Sequence, residues 1–241
     1  MKIKIGYFAD GPWSHNAFKK LISDKDIDIS FICVRWNTND VTLKKYCRKY
    51  KISYLRHPDV NSFEFIELVK NFNCDIFISM SFDQIFKNEI INLPSLKVIN
   101  CHAGKLPFYR GRNILNWALI NDEKEFGITV HYVDEGIDTG DIILQRCFLI
   151  TDEYNYSNLL NIAYEECANV IYDAILLIKS GGFIPITQAS IDLVGSYYSK
   201  RKLGDELLNW KQSSRDIFNF VRAICPPGPS ARAWIKNVEM K

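Results

Sequence analysis

Apolar positions in the first hundred residues follow two alternating rhythms, one with a period of two and one close to 3.6. Ile3–Phe8 is a short β-rich run that stops at a glycine turn, and Asn16–Ser23 follows with helical spacing. Ile27–Val34 is again strand-like, Val41–Tyr50 is helical and amphipathic, and Ile52–Leu55 is a brief strand. Positions 63, 65, 66, 68, 69 and 72 are apolar, which is one face of a helix over Phe63–Asn71. Cys74–Met80 and Leu96–Cys101 are nearly continuous apolar runs between polar borders, as expected of strands buried on both sides. Repetition of this β-α-β order implies a parallel sheet with right-handed crossovers.

The second half has a different character. Gly127–Val133 and Asp141–Ile150 are predicted strands on either side of the turn-rich stretch Asp134–Gly140. One long helix is predicted over Ser157–Lys179, ended by Gly181-Gly182. A last helix lies near Ser213–Ala223, and Cys225-Pro226-Pro227-Gly228-Pro229 is excluded from helix and central strand alike. The chain thus reads as an α/β protein: residues 1–190 form a twisted, mainly parallel sheet with helices on both faces, and residues 191–241 form a small C-terminal segment.

Composition narrows the class. The 241 residues, 47% of them hydrophobic, suffice for one sizeable core and a small appendage. With 30 basic and 28 acidic side chains, the formal net charge of +2 gives no electrostatic reason to expect a nucleic-acid or membrane partner. The seven cysteines include no CxxC pair, so a disulfide framework and a structural metal site are both disfavoured. No uninterrupted apolar stretch is long enough to span a bilayer, and the expectation is a cytoplasmic protein.

The candidate chemistry lies where the topology puts ligands, beyond the carboxyl ends of the strands. The strand Leu96–Cys101 runs out into Asn100-Cys101-His102, and alternation sends Cys101 to the opposite side from its neighbours. Asp141 stands at the edge of the glycine-rich turn. An amide, an imidazole and a carboxylate are the equipment for an amine attacking a carbonyl carbon: an oxyanion donor, a proton acceptor and a group that orients that acceptor.

Two stretches carry a specific likeness. Ile99-Asn100-Cys101-His102-Ala103-Gly104-Lys105-Leu106-Pro107-Phe108-Tyr109-Arg110-Gly111-Arg112, and Gly127 through Ile143, resemble in order and spacing the signature of the folate-dependent formyltransferases. The resemblance implies a Rossmann-like formyltransferase fold. It implies 10-formyltetrahydrofolate as formyl donor, no metal, and a catalytic trio at Asn100, His102 and Asp141. It places the folate beside Met80, Ser81, Phe82, Gln84 and Ile85 and beside the turn residues Asp134, Gly136, Ile137 and Asp138. Where the family pattern usually has serine and leucine before the leucine-proline step, this chain has Gly104-Lys105. No GxGxxG follows the first strand, since Gly6 and Gly11 do not make that pattern, so NAD is not supported.

Among acceptors, the loop Asp10-Gly11-Pro12-Trp13-Ser14-His15-Asn16 departs from the Gly-Ser-Asn phosphate loop of glycinamide ribonucleotide formyltransferases. Methionyl-tRNA formyltransferases carry a C-terminal barrel, for which the roughly 40 residues after the last coil are too few. The Trp-Ser-His loop and the run from Tyr197-Tyr198 to Gly228 resemble the nucleotide-sugar N-formyltransferases instead. The implied acceptor is dTDP-4-amino-4,6-dideoxyglucose, a sugar for O-antigen and lipopolysaccharide synthesis. Its candidate contacts are Trp13, His15, Lys105, Tyr109, Arg110, Arg112 and Tyr197, whereas the Lys200–Lys202 cluster reads as solvated surface. Trp210, Phe218 and Trp234 in the C-terminal piece imply a homodimer. Two other classes remain: a non-catalytic binder of nucleotide sugar or folate, and a hydrolase that delivers the formyl group to water.

Overall fold

The computed structural model describes residues 2–236 and 238–241. Its centre is a seven-stranded sheet whose elements alternate with helices as the apolar rhythm requires. In chain order these are β1 (Ile3–Ala9), α1 (Pro12–Ser23), β2 (Ile27–Val34), α2 (Thr42–Tyr50), β3 (Ser53–Arg56), α3 (Phe63–Lys70), β4 (Ile76–Met80), α4 (Asn88–Ile91) and β5 (Val98–His102). Then come β6 (Arg110–Gly111), α5 (Ile114–Ile120), β7 (Glu125–Tyr132), β8 (Ile142–Leu149), α6 (Tyr156–Ser180), β9 (Tyr197–Tyr198), α7 (Ser214–Ala223), β10 (Ala233–Ile235) and β11 (Val238–Met240). The strand order is β3-β2-β1-β4-β5-β7-β8; the first five are parallel, and β7 and β8 run antiparallel to their neighbours. The architecture is the α/β, mainly parallel sheet that the sequence implies, with helices on both faces.

Period-two alternation divides the core into two faces. From β1, Ile3, Ile5, Tyr7 and Ala9 enter one cluster with Phe18 and Leu21 of α1 and Leu159, Ala163 and Ile171 of α6. Phe8 points the other way, into a cluster with Phe31, Phe65, Ile66, Phe77 and Val98. A bulge between Ile5 and Gly6 makes Gly6 partner Phe31, skipping Ser30, so β2 keeps large residues on both faces despite its polar interruptions.

Phe8 is fully buried and meets the rings of Phe31, Phe65, Phe77, Phe82 and Phe86 edge-on at centroid distances of 5.0–6.1 Å. Phe8→Ala is expected to lower unfolding free energy by about 3–5 kcal/mol, read as a fall in denaturant midpoint at unchanged slope.

α6 is the longest element at 25 residues, about 37 Å. It starts with a reciprocal capping box between Asn155 and Asn158 and ends at Gly181 in the left-handed region. α1 begins earlier than its apolar periodicity suggests: Pro12, preset for the first helical turn, follows Gly11 at φ 69°. The C-terminal segment is tied back to the sheet domain at several points. β9 pairs in parallel with β6, the Asn116 amide on α5 donates to the Ala223 carbonyl at 2.7 Å, and Arg215 bridges Asp122 and Asp152. The β6–β9 ribbon and the β10–β11 hairpin have strands of two and three residues, too short for periodicity to announce. No helix among the described residues is long and apolar enough to cross a membrane.

Candidate active site

β5 delivers the first two functional groups. Val98 lies in the phenylalanine cluster, so Asn100 and His102 emerge on that same face, beyond the cluster's edge. Cys101 points the opposite way, its Sγ donating to the Cys167 carbonyl on α6 at 3.8 Å. The antiparallel neighbour β7 places His131 directly opposite Asn100 and Thr129 opposite His102. Cross-strand partners share a face, so two imidazoles and an amide meet on one patch of sheet.

The carboxylate of this patch is Asp138, which corrects the expectation of Asp141. Asp141 is pinned at the mouth of β8, where its carbonyl accepts from the Tyr132 N–H at 2.9 Å, and it lies outside the cavity lining. Asp138 takes the left-handed conformation at φ 55°, which turns its side chain back over the end of β5. Its Oδ2 lies 3.6 Å from His102 Nδ1, and its Oδ1 lies 3.5 Å from His131 Nε2 and 3.4 Å from Asn100 Nδ2. The Gly111 N–H donates to Oδ2 at 2.9 Å. Gly111 sits at φ 99°, and a Cβ there would fall 2.1 Å from the Tyr198 carbonyl oxygen, so only glycine brings this amide to the carboxylate.

Burial alone pushes the Asp138 carboxyl pKa up. Positive charge on His102 or His131, when either ring is protonated, and the hydrogen bond from the Gly111 amide overcome that and hold it well below the usual carboxylate range. Gln188, 2% exposed, braces the turn: its amide donates to the Asp138 and Gly140 carbonyls at 2.8 Å each.

The two imidazoles are fixed in opposite tautomers. His131 Nδ1 lies 2.7 Å from the Tyr132 carbonyl oxygen, which can only accept, so Nδ1 carries the proton and Nε2 accepts from Asn100 Nδ2 at 3.2 Å. His102 Nε2 lies 2.7 Å from the Tyr109 carbonyl oxygen, so Nε2 is protonated and Nδ1 faces Asp138. One Asn100 N–H is committed to His131; the other is held loosely by Asp138 and is free to turn to a reacting oxygen.

This patch opens into a cavity of about 680 Å³, within the range of small-molecule sites. Met80, Ser81, Phe82, Gln84 and Ile85 line this cavity with Asp134, Gly136, Ile137 and Asp138, so all the folate candidates border it. Asp134 is spent within its own turn, accepting from Thr139 Oγ1 at 2.6 Å and the Gly136 N–H at 3.1 Å. Of the residues expected to meet the acceptor, Trp13, Arg112 and Tyr197 line the same cavity.

Four acceptor candidates lie elsewhere, each because it has found a partner. His15 pairs with Asp40 at 2.6 Å, and Lys105 pairs with Glu125 at 2.5 Å. The Arg110 guanidinium donates to Gln188 Oε1 at 2.7 and 3.1 Å. The Tyr109 hydroxyl donates to Glu123 at 2.6 Å, with its ring stacked on Tyr198 at 4.9 Å. Lys200, exposed as the basic cluster predicts, also lines the cavity, as does Arg35, whose Nη2 donates to Ser81 Oγ at 2.9 Å. His131 and Gln188 also escaped the sequence reading. His131 was legible from strand alternation inside the matched stretch, and Gln188 carried no signal. Among the described residues, no cluster of His, Cys, Asp and Glu is arranged to hold a metal ion.

Residues 36–175 match the formyl transferase family. The chain is 34% identical over 199 residues to the methionyl-tRNA formyltransferase of Pelotomaculum thermopropionicum, covering 83% of this chain and 62% of that protein's length. Its fold is similar to WlaRD, a sugar 3N-formyl transferase solved in the presence of dTDP and 5-N-formyl-THF, with a TM-score of 0.75 at 24% identity. That match covers 98% of this chain and 84% of the other. It is also similar to the N-formyltransferase of Helicobacter canadensis in complex with folinic acid and dTDP-3-aminofucose, with a TM-score of 0.70 at 24% identity over 98% of this chain and 85% of that one.

Proposed function

This chain belongs to the formyl transferase family, and from that premise we propose that it moves a formyl group from 10-formyltetrahydrofolate to the amine of a nucleotide-linked deoxysugar. The observation that carries the reading is the meeting of Asn100, His102 and Asp138 at one cavity whose lining holds both apolar and cationic side chains. Met80, Phe82, Ile85 and Phe86 offer an apolar surface to a folate ring system, and Arg112 and Lys200 offer cations to an anionic acceptor. Trp13 and Tyr197 supply aromatic faces for a nucleobase or sugar.

In this reading the formyl carbon sits over the end of β5. The free Asn100 N–H donates to the carbonyl oxygen as it gains charge, in a pocket where preformed donors are worth far more than in water. The attacking amine must be neutral and must lose a proton as it bonds. His102 Nδ1 takes that proton, directly or through one water, and Asp138, ionised throughout, stabilises the imidazolium that forms; the imidazolium then gives the proton to N10 of the folate as the bond from N10 to the formyl carbon breaks, which releases tetrahydrofolate and the N-formyl product. His131 holds Asn100 and Asp138 in register with each other.

The acceptor class is supported by the dTDP and dTDP-sugar complexes of similar folds, with dTDP-4-amino-4,6-dideoxyglucose as first candidate and its 3-amino counterparts as direct competitors. A second reading, formylation of methionyl-tRNA, is favoured by the name of the curated relative. A panel of amino-sugar nucleotides, glycinamide ribonucleotide and methionyl-tRNA, each with 10-formyltetrahydrofolate, separates them. A one-formyl mass gain is expected on a dTDP-linked 4-amino-4,6-dideoxyhexose; preferred formylation of tRNA or glycinamide ribonucleotide overturns the assignment. Formate release without an acceptor would indicate the hydrolase, and binding of both ligands without turnover the non-catalytic binder. The reading includes a cytoplasmic homodimer joined through the exposed Trp210, Phe218 and Trp234, which sedimentation at micromolar concentration checks.

A further inference from the structure

Arg110 stands outside the cavity lining, yet every nitrogen of its guanidinium is engaged. Nε and Nη2 donate to Gln188 Oε1 at 3.1 and 2.7 Å, and Nη1 donates to the Val194 carbonyl at 3.2 Å. A guanidinium can only donate and a carbonyl can only accept, so the buried Gln188 amide has one orientation. Its oxygen faces Arg110, and its Nε2 faces the Asp138 and Gly140 carbonyls at 2.8 Å each.

Asp138 keeps φ 55°, a conformation that an aspartate holds where its surroundings impose it. Two grips impose it here. Gln188 holds the main-chain carbonyls at 138 and 140, and the Gly111 N–H holds the carboxylate at 2.9 Å. Both grips trace back to β6, which consists of Arg110 and Gly111 alone. The strand is itself fixed, since the Arg110 N–H donates to the Ser196 carbonyl at 2.9 Å. Arg110 thus anchors the main chain of Asp138 through one intermediary, while its neighbour anchors the side chain directly. A carboxylate released from either grip is free to leave its place 3.6 Å from His102 Nδ1.

We propose that Arg110 and Gln188 are positioning residues for formyl transfer: the guanidinium orients the amide, and the amide sets the backbone that aims the Asp138 carboxylate at His102. The proposal rests on the reading of Asp138 as the group that stabilises the His102 imidazolium. It assigns Arg110 no contact with substrate, although a cation near the cavity has the chemistry to meet a diphosphate.

The test uses the full chain and the acceptor that the panel selects. Arg110→Gln is expected to lower kcat by about 100-fold, the usual scale for an ångström-sized misplacement, with KM for both substrates within about threefold of wild type. A diphosphate contact would give the opposite split. Gln188→Glu keeps a partner for Arg110 but, as a carboxylate, has no N–H for the two carbonyls, and the same loss of kcat is expected. A second readout needs no turnover: the protein carries carbon-13-labelled aspartate, and Asp138→Asn assigns the resonance. Wild-type Asp138 is expected to stay ionised as pH falls from about 7 to about 3. In both variants it is expected to titrate nearer the ordinary value of about 3.9.

A raised acceptor KM at wild-type kcat overturns the proposal, and so does an Asp138 titration that neither folded variant moves. If Arg110→Gln fails to fold, Gln188→Glu decides. A wild type that formylates no acceptor sinks the proposed activity, and the titration then decides the positioning on its own.

Discussion

Asp138→Asn is expected to lower kcat about 1,000-fold or more, with both substrates still bound at near-normal concentrations. The exchange is almost isosteric, so the turn braced by Gln188 and the Gly111 amide can persist. What disappears is the negative charge 3.6 Å from His102 Nδ1, and with it the stabilisation of the imidazolium that forms when the amine is deprotonated. Acid–base assistance of this kind contributes about 100- to 10,000-fold, and replacing the orienting carboxylate of such a unit by an amide typically removes most of it. Asp141→Asn is the matched control and is expected to stay within about threefold of wild type, because Asp141 engages the sheet through its backbone and lies outside the cavity lining.

The sign of the pH dependence follows from the same geometry. The carboxyl of Asp138 is held well below the usual range, so it stays ionised where an ordinary carboxylate, at about 3.9, would be protonated. An acid limb in kcat near neutrality therefore does not report Asp138. A carboxyl with a lowered folded-state pKa contributes stability above its unfolded value, and that contribution is lost as pH falls toward the folded value. Acid unfolding followed by circular dichroism should show the wild type losing this increment below about pH 4, and Asp138→Asn lacking it at any pH.

Asn100→Ala carries the second large effect, a fall in kcat of about 100- to 1,000-fold, the usual cost of one oxyanion donor. It has a second signature. Asn100 is also the donor to His131 Nε2, and His131 is 2% exposed. Removing the amide leaves a buried acceptor without that partner, at a cost of about 1–3 kcal/mol, so the variant is expected to melt earlier as well as turn over slowly. Asn100→Asp is expected to share both effects: a carboxylate can donate neither to an oxyanion nor to His131 Nε2, and the variant should be as slow as alanine.

How much of this was written in the order of residues depends on the length of the signal. β1, β2, β4 and β5 were legible because alternation and unbroken apolar runs persist over five to eight residues. The emergence of Asn100 and His102 at a strand end followed directly. Asp138 and Asp141 belong to one turn, and what distinguishes them is a left-handed backbone at one and a sheet hydrogen bond at the other, neither of which has a periodic trace. His15, Lys105 and Arg110 had the right chemistry for a diphosphate. Their partners Asp40, Glu125 and Gln188 lie 25, 20 and 78 residues away, and only tertiary structure brings them in. Lys200 is exposed, as its basic run suggested, and what the run did not show is that the β6–β9 ribbon carries its segment to the cavity.

The pairing of Asn100 with His131 across β5 and β7 ties the chemistry to simple arithmetic. Side chains along a strand face alternate sides, so one extra residue within Glu125–Tyr132 would bring Val130 or its neighbour to the amide and send the imidazole through to the hydrophobic layer beneath. An insertion among residues 134–137 faces no such parity, since Asp138 is anchored at its own position by the Gly111 and Gln188 contacts. Descendants of this protein are free to lengthen that hairpin tip toward new donors, while the strand leading into it must keep its count.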